Sequence, residues 1–215
     1  MKEFKHLPGL DLIRVFGILV VVFYHYQVET AVRGLCPADF LPAMEPLVQV
    51  AVYTMTLLSG SCLCWQEKSR SWSMKRYLWG RFLAIYPLFW LCFFPIFIYS
   101  DIICGNNEGV APWKLLLSIV GVDGYFQSFT PTFYKIGEWY LGCILFLYAV
   151  FPVLWRMIRR RGVVFAAVGA LFAWLACCFV ENPGQLYPTL IGQLPLFFMG
   201  IFLGGCLPSL WIPGI

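Results

Sequence analysis

The chain has 215 residues, of which 60% are hydrophobic, 19% aromatic and only 12% charged, with a mean hydropathy of +0.77. A soluble domain of this size needs far more polar surface, so the composition excludes one and describes an all-α, polytopic membrane protein. The formal charge of +4 sits in short Lys/Arg clusters between apolar runs, which reads as cytoplasmic loops and gives no footing for nucleic acid.

Met1 to Pro8 is short and basic, with Lys2, Lys5 and His6, and this places the N-terminus in the cytoplasm. The run LPGLDLIRVFGILVVVFYHYQ, Leu7 to Gln27, is long enough to cross a bilayer and lacks a small-residue cleavage site. It is expected to stay as span one, from about Leu10 to Val28. Inside it stand Asp11, Arg14 and His25. Eleven residues of α-helix turn through about 1100°, roughly 20° past three full turns, and rise about 16 Å. Arg14 and His25 therefore share a face, and Asp11 lies within about 60° of both at the same period. Taken singly, each is a snorkelling or interfacial group. Their common azimuth points instead to a protein-lined chamber, in which a histidine above a fixed cation is a candidate general base facing an anionic ligand.

An outer loop with Pro37, Pro42 and Pro46 follows. Its prolines are expected to break the helix, so that span two restarts near Leu47 and ends at about Trp65. Within span two, Ser59-Gly60-Ser61 reads in isolation as a close helix contact. Beside arginines it also offers a lightened surface to a phosphorylated ligand. The next segment holds Lys68, Arg70, Lys75, Arg76 and Arg81, the densest basic stretch of the chain and cytoplasmic on this topology. Arg81 lies about one turn into span three, YLWGRFLAIYPLFWLCFFPIFIY, and is expected to turn inward, with Pro87 and Pro95 bending the helix above it.

From Asp101 to about Lys135 the chain is mixed. PWKLLLSIVGV is too short to span, so the stretch is expected to be re-entrant or interfacial and to pack over the mouth of the bundle. Glu138 to Trp155 is span four, running in to Arg156, Arg159, Arg160 and Arg161; Gly162 to Val180 and about Thr189 to Leu207 are spans five and six. About six spans with both ends inside satisfy every basic loop. Most of the 9 cysteines lie in apolar runs, where a thiol behaves as a small hydrophobe, and no metal site is evident. Cys36 and Cys104 are the pair placed in outer loops, where a disulfide could form.

There is no Gly-x-Ser-x-Gly elbow, His-Glu-x-x-His motif or phosphate-cradling glycine loop. Four other motifs stand in order: Arg14 and His25 after an L-D-L-I-R start, L-S-G at Leu58 to Gly60, R-F-L-A-I-Y-P at Arg81 to Pro87 after a basic segment, and W-Y-L with F-P at Trp139 to Pro152. Together they make most of the chain resemble the acyltransferase 3 family of integral membrane acyltransferases. The resemblance implies an acyl group, commonly acetyl, passed from acyl-coenzyme A on the cytoplasmic side to a hydroxyl of a cell-surface carbohydrate or lipid-linked sugar. It implies His25 as the catalytic histidine, Arg14 as its partner, and Ser59, Gly60, Arg76 and Arg81 with Arg14 on the donor side. The sequence departs from the family at Ala84, where an arginine is common, and at Ile144 and Leu145, where some members carry paired glutamates. The family's fold has about ten helices, so this single domain, residues 1–215, is expected to be truncated at its C-terminal side. The residues alone also allow a transporter or flippase-like bundle, with Asp11, Arg14 and His25 as a proton or anion path, or a catalytically inactive interaction module.

Overall fold

A computed structural model describes residues 8–35, 37–68, 71–106, 109–126, 129–135, 138–179 and 189–210, and every regular element among them is helical. In chain order these are α1 (Pro8–Val32), α2 (Leu41–Lys68), α3 (Met74–Phe97), α4 (Leu115–Val120), α5 (Trp139–Arg161), α6 (Val164–Cys178) and α7 (Leu190–Leu210). Among the described residues, four stretches are long and apolar enough to cross a membrane: Pro8–Val32, Leu41–Glu67, Met74–Ile103 and Trp139–Arg161. The fifth and sixth expected spans are shorter apolar helices, Val164–Cys178 and Leu190–Cys206.

The chain divides into two compact units. The first comprises residues 1–71 and 155–215, the second 72–154. In the first unit α2 is central, packing most extensively on α7 and also on α1, while α6 lies against α7. Glycines set the α2–α7 spacing. A Cβ on Gly60 would sit 2.4 Å from the Phe197 carbonyl oxygen, and one on Gly200 or Gly204 would sit 2.1 Å from the carbonyl of Leu57 or Ser61. Backbones this close gain dispersion contacts that lipid tails cannot offer. The fully buried Thr56 and Gln193 bond across the same contact, oxygen to oxygen at 2.6 Å.

Helix α2 begins at Leu41, ahead of the expected restart at Leu47, and Pro46 lies inside it. Pro42 falls in the first turn, where an N–H has no intrahelical partner, so its ring removes nothing there. Pro46 gives up one bond, which the helix absorbs.

In the second unit α3 starts at Met74, which puts Arg81 about two turns in rather than one. Beyond Pro95 the helix widens into a π turn over Ile98–Ile103, closed by the Cys104 N–H on the Tyr99 carbonyl at 3.0 Å. The outer turn expected from Asp101 thus begins as helix. Between Cys104 and α5 the described chain contains no helix longer than α4, in keeping with a segment that does not cross. It packs along α3: Phe133 joins Phe89 and Phe93 in a buried cluster with Leu115 and Leu141 at its rim.

Candidate active site

Gly17 and Val20 are the buried residues of α1, and a Cβ on Gly17 would meet the Met55 methyl at 2.8 Å. Val20 continues the contact against Val48 and Ala51, with Tyr24 packed beside them. Arg14 lies at the edge of this face, one turn before Gly17. Its Nη1 donates to Asp11 Oδ1 at 3.0 Å and its Nη2 to Cys62 Sγ of α2 at 2.9 Å. The Arg14 side chain is 37% exposed and that of Asp11 42%, so this ion pair orients the guanidinium more than it stabilises the fold.

His25 follows on the same helix about 16 Å further along. It is exposed on the flank of α1, with its ring edge-on to Tyr24 at 5.8 Å between centroids, so the described residues do not enclose it in the protein-lined chamber expected from its shared azimuth with Arg14. Beyond it, Arg33 Nε bonds Glu29 Oε1 at 2.7 Å.

Ser59 and Gly60 separate in role. Gly60 is buried against α7, so the surface expected to admit a ligand is taken by a helix, while Ser59 is half-buried. Cys62, three residues beyond Ser59, meets Arg14 instead. Sequence reasoning passed over it because a cysteine in an apolar run looks like any small hydrophobe.

Arg76 and Arg81 belong to the second unit. Arg76 is exposed. The Arg81 guanidinium lies 5.5 Å from the Tyr148 ring centroid, a cation–π contact. Tyr77 O–H donates to the Tyr148 carbonyl at 2.8 Å and stacks on Phe151 at 5.5 Å. Tyr77 and Phe151 are buried, and they fix the rail from which Arg81 projects.

Further along the same unit sit ionisable groups that the motif search did not select. Lys135 Nζ pairs with the buried Asp101 at 3.1 Å, and the Lys135 backbone N–H donates to Glu138 Oε1 at 3.2 Å. Asp123 is fully buried, and desolvation by burial pushes its carboxyl above the ordinary value. A lone acid in an apolar, aromatic stretch was the signal available for it. Cys36 lies outside the described residues, as do Lys2, Lys5 and His6, so the possible Cys36–Cys104 pairing is not described.

The acyltransferase 3 family model, described as an acyltransferase domain, matches residues 7–207. Acyltransferase MdmB of Streptomyces mycarofaciens is 26% identical over 191 residues, covering 82% of this chain and 47% of that protein. The chain therefore spans about half the length of this curated relative. No solved structure matches.

Proposed function

The chain belongs to the acyltransferase 3 family, and from that premise we propose that it moves an acyl group, acetyl by preference, from acyl-coenzyme A to a hydroxyl of a cell-surface carbohydrate or lipid-linked sugar. The observation that carries this reading is the arrangement on α1. A guanidinium anchored from two sides at Arg14 and an imidazole at His25 stand about 16 Å apart along one helix.

In the proposed reaction neutral His25 takes the proton from the acceptor hydroxyl as its oxygen attacks the thioester carbonyl. The carbon–sulfur bond then breaks, coenzyme A leaves as thiolate, and the imidazolium returns the proton to it. Arg14 presents a fork of N–H donors to donor phosphate oxygens, so the pantetheine arm can run along α1 towards His25. Arg76 and Arg81 add positive charge at the basic end of α3, which we assign to the cytoplasmic side together with the N-terminus. Ser59 is proposed as a donor contact, and Gly60 serves it indirectly by seating α2 on α7.

His25→Ala and Arg14→Ala, compared at equal expression in a cell-surface acylation assay, test the assignment. His25→Ala is expected to lower transfer by about 10² to 10⁴-fold, the usual weight of a general base. Undiminished transfer would remove the histidine from the mechanism.

A further inference from the structure

Among the described residues, the thiol of Cys62 is the hydrogen-bond partner that another helix gives Arg14. From this contact we infer that Cys62 is a positioning residue for the donor-binding guanidinium. The inference rests on the assignment of Arg14 to the donor site made above.

The contact has a rigid base. Around Cys62, helix α2 is held to α7 by the Thr56–Gln193 bond and by the missing side chains of Gly60, Gly200 and Gly204. Leu63 and Cys64 beside it are buried. With α2 unable to roll, the sulfur presents a fixed acceptor to α1, and Asp11 holds the guanidinium from the opposite edge.

The choice of acceptor matters. A carboxylate from α2 would set a second negative charge beside Arg14, which Asp11 already pairs, whereas a thiol orients the guanidinium without adding one. A guanidinium has five N–H donors, and two bonds to protein are formed among the described residues, so donors remain for phosphate oxygens.

The test is equilibrium binding of tritiated acetyl-coenzyme A to the purified full chain in detergent. Losing a hydrogen bond to a charged group should raise Kd about tenfold in Cys62→Ala. Cys62→Ser, which keeps an acceptor, should stay within about threefold of the parent. Methyl methanethiosulfonate should weaken binding by the parent chain, dithiothreitol should restore it, and Cys62→Ser should not respond to either. This arm also decides the matter if Cys62→Ala fails to fold.

Parent-like binding by Cys62→Ala, or equal inhibition of Cys62→Ser by the reagent, would overturn the inference. If Arg14→Ala itself binds donor normally, the underlying assignment of Arg14 fails instead. The two failures are thus separable.

Discussion

A guanidinium inside a membrane-crossing helix is costly unless something polar receives it, and Arg14 has two receivers of different kinds. Asp11 is a charged partner within the same helix, and Cys62 a neutral one on α2. Asp123 illustrates the opposite economy, a buried acid whose charged form the surroundings disfavour. Its pKa is raised from 3.8 in the folded chain, so the native state binds this proton more tightly than the unfolded state does. Stability should therefore fall as pH rises from about 3.8 through the folded pKa. Asp123→Asn keeps the shape and removes the titration. Its thermal midpoint in detergent should exceed the parent's at pH 7.5 and vary less with pH over that window. A parallel pair of midpoint-against-pH curves would show that the carboxyl does not carry the dependence.

Helix ends and helix contacts decide the next scale. Short α4 leaves four carbonyls without intrahelical partners at its C-terminus, and all four find donors. The Gly121 N–H bonds Ser118 and the Val122 N–H bonds Leu117, a Schellman turn that needs the left-handed φ of +79° at Gly121. The other two carbonyls, Ile119 and Val120, receive Trp90 Nε1–H and Tyr86 O–H from α3, each at 3.0 Å. Trp90→Phe removes one donor and keeps the ring, so amides of 115–122 should exchange hydrogen about five- to tenfold faster while those of α2 stay unchanged, as expected for about 1 kcal/mol of local stability.

The α2–α7 contact is less forgiving. Gly204→Leu has no space beside the Ser61 carbonyl and should cost about 1–3 kcal/mol or more, read as a lower thermal midpoint. An unchanged midpoint would mean that α7 can withdraw freely.

Both elements show what the residues disclosed in advance. The spacing of Arg14 and His25 and the length of the apolar runs were legible, because helical period and bilayer thickness are fixed quantities. Ser59-Gly60-Ser61 was legible as a close helix contact, but its partner glycines on α7 could not be matched to it without knowing which helices are neighbours. The Pro46 position was misread because a proline's effect depends on its distance from the helix start, and that start lay upstream. The contact of Cys62 with Arg14 depends on rotamers across two helices, and no spacing rule reports it.

For the molecule as a whole, the outstanding property is orientation in the bilayer. Only 11% of the apolar window of α1 and of α3 is buried, against 50% for α2 and 44% for α5. Residues such as Leu12, Phe16, Leu88 and Leu91 present apolar surface suited to lipid tails. Such surface looks alike from either side of the membrane, so direction rests on charge. Lys75 and Arg76 stand at the start of α3, while the described residues just beyond its far end, Ile98 to Asn106, include no lysine or arginine. On the positive-inside rule Arg76 is expected on the cytoplasmic side and Cys104 outside.

Cys104 is an exposed thiol and makes this directly measurable. A membrane-impermeant maleimide applied to intact cells should label the parent chain and label Cys104→Ser less, while residues at the start of α3 stay protected until the membrane is opened. Prior reduction should increase Cys104 labelling if Cys36 is bonded to it, and leave it unchanged if both are free. Labelling of Cys104 only after permeabilisation would invert the topology. It would carry Arg76 and Arg81 to the outer face, away from cytosolic coenzyme A, and the proposed donor path would have no entrance.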